Sequence, residues 1–181
     1  MPRPDRAATR QRLLDAGTAL VPERSLAALT VDEVVAHAGC AKGTFFTHFP
    51  TRADYFVELH RHFHDRIAQQ VNAALDAVPD GRDRLLRGSL AYLDACLREH
   101  AVKALLIEAR VLPEIQREIQ RQNARFDGLA ERQFAALRWP APRHAARLWV
   151  ALVAEAALVE AEAGRKLPAL RDQLPRFLGT A

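Results

Sequence analysis

The sequence has 181 residues, of which 49% are hydrophobic, so a sizeable core is available. The formal net charge of +4 mildly favours an anionic partner. Two cysteines far apart, Cys40 and Cys96, exclude a disulfide framework and fit a reducing cytoplasm. The charged amino end lacks the apolar core of a signal peptide, and the longest apolar run, 148–154, is too short to span a bilayer. We therefore expect a cytoplasmic protein without a membrane partner.

The first third of the chain has the pattern of a three-helix unit. Apolar spacing predicts a helix over residues 7–21, which a proline ends, and Leu26 and Leu29 then close the base of the unit. A second helix begins after Thr30, which has a glutamate three residues further on, the spacing of a capping box. This helix ends at Gly39, because glycine accepts a left-handed backbone.

A third, short helix completes the unit and makes residues 30–49 the recognition segment. Phe45 and Phe49 mark its buried side, and Pro50 prevents its continuation. Two short helices joined by a glycine turn form a helix-turn-helix, whose second helix enters the DNA major groove. The spacing alone also fits a plain helical hairpin in an all-α protein.

Several fixed positions make the pattern more specific. They are Ala38-Gly39, Lys42-Gly43-Thr44, Phe45-Phe46, His48-Phe49 and Pro50-Thr51-Arg52. Together they resemble the signature of the tetracycline-repressor (TetR) family of bacterial transcription regulators, over residues 8–58. The resemblance implies an all-α fold with a helix-turn-helix DNA-binding domain over 1–52. A long helix would join it to a helical effector-binding and dimerisation domain over 53–181.

The resemblance also implies which side chains meet DNA. A lysine adds a cation, a glycine permits close approach, and hydroxyl, imidazole and guanidinium groups donate to phosphates or base edges. The expected DNA-binding residues are Thr30, Lys42, Gly43, Thr44, Phe46, Thr47, His48 and Arg52, with Arg3 and Arg6 on a basic arm. That arm either lies in the minor groove or is a solvated tail.

Three positions depart from the family pattern. Ala41 stands where serine is usual, so the second helix lacks a hydroxyl cap, a loss of about 0.5–2 kcal/mol. Phe46 replaces a usual tyrosine and cannot hydrogen-bond a phosphate, which affects the expected operator affinity. Val35 adds bulk where the two helices cross.

The rest of the chain also has helical spacing, and no stretch has the pattern of a strand. The predicted helices cover 52–77, 82–99, 102–110, 113 to before Pro140, 143–163 and 168–178. The helix over 143–163 is apolar on more than one face. We predict that it and the last helix pair with their copies in a homodimer. A buried core helix in a monomer is the alternative.

Other side chains are candidate ligands of a small molecule or a metal. The candidates for an effector pocket are Tyr92, Cys96, His100, Phe126 and Trp149, although core packing explains each of them as well. His60 and His64 are one helical turn apart, a spacing that can bind zinc. A polar helix face is the simpler interpretation, so we predict neither a metal nor another cofactor.

The leading hypothesis is a ligand-responsive regulator, a repressor, that binds a palindromic operator as a homodimer and is released by a small molecule. One alternative is a metal-responsive regulator that uses His60 and His64. Another is a helical small-molecule-binding protein without a DNA role. The sequence has no nucleophile motif and no phosphate-binding glycine loop, so we predict that the protein is not an enzyme.

Overall fold

The computed structural model describes residues 5–23, 25–99, 105, 107–108 and 113–179, without the side chains of Glu23 and Glu114. In these ranges the chain forms helices and turns and no β-strand, which confirms the all-α prediction. None of the described helices is long and apolar enough to cross a membrane. The predicted helix over 102–110 falls largely outside the described residues. The helices are α1 (Arg6–Leu20), α2 (Val31–Ala38), α3 (Lys42–His48), α4 (Arg52–Ala74), α5 (Arg82–Arg98), α6 (Pro113–Ala136), α7 (Pro142–Ala163), α8 (Pro168–Arg171) and α9 (Leu174–Phe177).

Packing divides the described chain into two compact units. Unit 1 contains residues 5–64 and the described part of 100–118, and unit 2 contains 65–99 and 119–179. Helix α4 is continuous and contributes to both units. The boundary predicted between residues 52 and 53 separates a DNA-binding domain from an effector-binding domain. It is defined by function rather than by packing, and it stays a prediction.

Local signals set the helix ends of unit 1. The Thr30 hydroxyl accepts from the Glu33 amide at 3.3 Å, and the Glu33 carboxylate accepts from the Thr30 amide at 2.9 Å, which completes the predicted capping box. Gly39 ends α2 with a left-handed φ of 63°. Thr51 and Asp54 form the same reciprocal pair at the start of α4, at 3.0 and 3.1 Å.

An aromatic cluster forms the core of unit 1. The ring centroids of Phe45, Phe49 and Tyr55 lie 5.0–5.4 Å apart, and each residue is at most 1% exposed. The Tyr55 hydroxyl donates to the Leu13 carbonyl at 2.8 Å, which ties α4 to α1. Gly17 makes room for this contact, since a Cβ there would lie 2.0 Å from the Tyr55 hydroxyl oxygen. The cluster therefore holds α1, α3 and α4 together.

The core of unit 2 lies where α5 packs against α7. Trp149 of α7 is buried and donates its indole N–H to the Ser89 hydroxyl at 3.1 Å. The ring of Phe134 meets Trp149 edge-on, with 6.3 Å between centroids. Ala146 is fully buried, so its small side chain permits a close approach of α7 to its neighbour.

Two predicted helices are longer than the observed ones. Helix α4 ends at Ala74 rather than at residue 77, because the backbone turns and Ala77 adopts a left-handed φ of 57°. The single helix predicted over 168–178 is wrong, since α8 and α9 are separate. Pro175 has no N–H to donate to the Arg171 carbonyl, so a continuous helix would lose a hydrogen bond there.

An ion cluster around the buried Glu160 holds the carboxyl end of unit 2. Arg171 donates through Nε and Nη2 to the two oxygens of Glu160 at 2.8 and 2.7 Å, and through Nη1 to Asp94 at 2.5 Å. Lys166 Nζ lies 2.9 Å from Asp94, and Glu160 also accepts from the Leu167 amide at 2.8 Å. Burial raises the pKa of both carboxyl groups, but these hydrogen bonds and charges outweigh it and lower both pKa values.

Gly17→Ala should destabilise the protein by about 1–3 kcal/mol, because the new methyl group overlaps the buried Tyr55 hydroxyl. Gly43→Ala is the matched control, since a Cβ there meets nothing within 4 Å and alanine favours a helix by about 0.5–1 kcal/mol. Urea unfolding followed by circular dichroism measures both variants. Equal stability of Gly17→Ala and the wild type would contradict the tight contact.

The ion cluster should make stability depend on pH. Its contribution is complete above the ordinary carboxyl pKa of about 4 and is lost as the pH falls through the lowered pKa values. Arg171→Met leaves Glu160 buried with its ion pair broken, which should cost about 3–5 kcal/mol at neutral pH.

In the Arg171→Met variant burial would raise the pKa of Glu160, so stability should increase as the pH falls toward about 5. The wild type should show no such increase. Urea unfolding at a series of pH values measures both profiles, and Arg171→Lys, which retains the charge but not the two-oxygen contact with Glu160, should fall between them. Parallel profiles for Arg171→Met and the wild type would show that the cluster does not control this dependence.

Candidate DNA-binding site

The outer face of α3 is the candidate site. Phe45 and Phe49 are buried, so at roughly 100° per residue the centre of the opposite face lies between Gly43 and Thr47. Ala41 gives α3 no side-chain cap, as predicted from the sequence. Of the predicted residues on α3, Lys42, Gly43, Phe46 and Thr47 are exposed, and Thr44 and His48 are half-buried.

Lys42 is exposed but has an acidic partner across the turn. Its Nζ lies 2.8 Å from Oδ1 and 3.0 Å from Oδ2 of Asp32, in the first turn of α2. Both side chains are more than half exposed, so the pair contributes about 0.2–1 kcal/mol. The Lys42 ammonium is therefore already paired with a carboxylate, and its DNA contact stays a prediction. Sequence reasoning missed Asp32, because acidic residues are common at helix starts and carry no further signal.

Two predicted hydroxyl donors are engaged within unit 1. The Thr47 hydroxyl donates to the Gly43 carbonyl at 2.9 Å. The Thr30 hydroxyl donates to the Glu33 carboxylate at 2.8 Å, and the Thr30 amide donates to the same oxygen. A phosphate contact from either hydroxyl requires the exchange of an internal hydrogen bond. Their DNA contacts stay predictions.

Arg52 binds the loop between α1 and α2. Its Nε donates to the Leu29 carbonyl at 3.0 Å, and Nη2 donates to the Ala27 carbonyl and, at 3.5 Å, to the Leu26 carbonyl. The guanidinium carbon also lies 4.7 Å from the ring centroid of Phe56. These contacts give Arg52 a structural role in positioning α4 against the loop, and its DNA contact stays a prediction.

Two arginines of α1 lie near His48 of α3, and one of them, Arg10, is paired with the Glu58 carboxylate. His48 is half-buried, and its pKa is lowered first by burial and then by the charges of Arg6 and Arg10. The His48 imidazole is therefore neutral at pH 7. Arg6 is exposed at the start of α1, and Arg10 lies 5.4 Å from the ring centroid of Phe49. Arg3 lies outside the described residues.

The described effector candidates all lie in unit 2, whereas His100 is outside the described residues. Tyr92 and Phe126 meet edge-on with their centroids 6.0 Å apart. Cys96 is 1% exposed, and burial raises the pKa of its thiol to about 12, which does not favour a reactive thiolate. Trp149 is buried in the core of unit 2, where its indole N–H donates to the Ser89 hydroxyl. A ligand pocket at these residues stays a prediction.

His60 and His64 do not form the polar helix face that the sequence suggested. They are 1% and 7% exposed, and their ring centroids lie 4.5 Å apart. They share the buried side of α4 with Phe63, so that interpretation is wrong. Within the described ranges, no group of three or more His, Cys, Asp or Glu side chains is arranged to hold a metal ion.

Residues 13–59 match the model of the family described as bacterial regulatory proteins, tetR family. This segment is a tetR-family domain. It contains α2, α3, the aromatic cluster and every described residue of the candidate site except Arg6. The sequence matches no protein in the curated set with which it was compared.

Solved structures share the fold of the tetR-family domain and of the helices that follow it. The multidrug binding protein EbrR, complexed with imidazole, is 23% identical with a TM-score of 0.73, over 92% of this chain and 88% of that one. The fatty acid degradation regulator FadR from Bacillus halodurans is 17% identical with a TM-score of 0.76, over 93% of each chain. E. coli NemR in its reduced form is 18% identical with a TM-score of 0.70, over 94% of this chain and 96% of that one.

Proposed function

We propose that the protein is a transcriptional regulator, not an enzyme, and that α3 binds a double-stranded DNA operator. The observation that carries the proposal is the division of α3 between buried phenylalanines and outward polar groups, within a tetR-family domain. Lys42 is exposed, and Thr44 and His48 are half-buried. A helical hairpin that used this face for internal packing would bury these groups, so the division favours an external partner.

We further propose a homodimer through α7, α8 and α9. Leu148 is 73% exposed and Val159 37% exposed on α7, and Phe177 is 61% exposed on α9. Large apolar side chains in open water favour association, and a second copy of the chain would cover them. Two recognition helices separated by about one DNA turn, ~34–36 Å, or a multiple of it, would read a palindromic operator as a repressor does.

A small molecule bound among the helices of unit 2 would act as the effector. It would release DNA by binding more tightly to a state with a different separation of the two α3 helices. EbrR, which has this fold, is complexed with imidazole, so the fold can hold a small molecule in another protein. In this proposal residues 1–52 bind DNA and 53–181 bind the effector.

Selection from random duplex DNA, combined with sedimentation at micromolar protein concentration, tests this proposal. The expected result is enrichment of an inverted repeat and a dimer that binds it with one α3 in each half-site. A pure monomer would contradict the dimer. Failure to enrich any duplex would contradict the DNA role.

Lys42→Ala should weaken binding to all duplexes and reduce the salt slope of log K by about 2, since a dimer loses two phosphate contacts. Asp32→Asn should have the opposite effect, a gain of up to about thirtyfold at low salt, because the ion pair no longer competes with phosphate in either half of the dimer. Gel-shift titrations at several salt concentrations measure both variants.

The variant with both substitutions is the control. The gain from Asp32→Asn should shrink in the Lys42→Ala background, since the competing pair is already absent. An equal gain in both backgrounds would show that Asp32 acts on DNA directly and not through Lys42. An unchanged salt slope for Lys42→Ala would remove Lys42 from the phosphate contacts.

A further inference from the structure

Phe46 is an apolar group on a polar face. It is 46% exposed, and among the described residues of unit 1 it is the one exposed large hydrophobic side chain. Its neighbours one helical turn earlier on α3 are Lys42 and Gly43. A single exposed phenyl ring is common on protein surfaces, but this one lies on the helix that we propose meets DNA, where its exposed part is available for a contact.

The ring of Phe46 is held in place by the core beneath it. It packs edge-on against Phe45, with 5.3 Å between centroids and 80° between planes, and Phe45 is fully buried. One helical turn earlier, a Cβ at Gly43 would meet nothing within 4 Å, so the space beside the ring is open on the protein side. The ring of Phe46 therefore packs on Phe45, and its exposed part is accessible to a ligand.

The chemistry of a phenyl ring limits what Phe46 can recognise on DNA. A phenyl ring has no hydrogen to donate to a phosphate, and it cannot pair with the polar edges of the bases. The one apolar group on the base edges of the major groove is the 5-methyl group of thymine. A deoxyribose carbon is the other apolar partner, but a sugar contact would show no base preference.

We infer that Phe46 determines specificity by contacting the methyl group of one thymine in each half-site. The inference rests on the proposed function, because it requires α3 in the major groove. The Thr44 hydroxyl and the Lys42 ammonium would supply polar contacts. Phe46 adds a contact that distinguishes thymine from the other three bases by shape alone.

The test uses the full chain and the duplex that selection enriches. Each thymine in turn is replaced by deoxyuridine, which removes the methyl group and leaves base pairing intact. Wild-type affinity should fall about fourfold for one position in each half-site, the effect of one buried methyl group. With Phe46→Ala, the same replacement should have no effect.

Phe46→Tyr retains the ring and is the matched control, so its affinity should remain sensitive to the same deoxyuridine. Circular dichroism melting verifies that both variants fold. Wild-type binding that no single deoxyuridine weakens would overturn the inference, and so would an equal loss for Phe46→Ala. Failure of the wild type to bind any duplex would overturn the proposed function as well, which separates the two outcomes.

Discussion

Burial of Phe45, Phe49 and Tyr55 in one cluster fixes how α3 is rotated about its axis. Two phenylalanines four residues apart lie on one side of a helix, and both are at most 1% exposed. The hydrogen bond from Tyr55 to Leu13 holds the cluster to α1. The outward direction of the polar residues is therefore a consequence of apolar packing. A helix of seven residues would not hold this orientation by its own hydrogen bonds.

The electrostatic potential around α3 depends more on which groups pair with its cationic side chains than on how many such side chains there are. Lys42 forms an ion pair with the Asp32 carboxylate of α2, and Arg52 donates hydrogen bonds to backbone carbonyls. His48 is kept neutral by burial and by the arginines of α1, Arg6 and Arg10. An incoming phosphate would thus meet a surface whose positive charges are partly balanced before DNA arrives. If α3 binds DNA as proposed, such balance would reduce non-specific attraction and leave more of the affinity to contacts with the bases.

Much of unit 1 could be predicted from the sequence, because its signals are local. The capping box at Thr30 and the turn at Gly39 each involve residues within a few positions of one another. The pairing of Asp32 across the turn, the attachment of Arg52 to carbonyls 23–26 residues earlier and the burial of His60 could not be predicted. These depend on how helices pack, and the spacing of polar residues along one helix carries no information about that packing.

The capping box of α2 has a consequence for how substitutions at the site are interpreted. The hydroxyl and the amide of Thr30 are both committed to Glu33, so neither has a hydrogen left for DNA. Truncation of this side chain would uncap α2, which packs against both α1 and α3. A binding defect at position 30 would then arise from fraying of the scaffold. A survey of binding alone would therefore score Thr30 as a contact residue even if its side chain met no nucleotide.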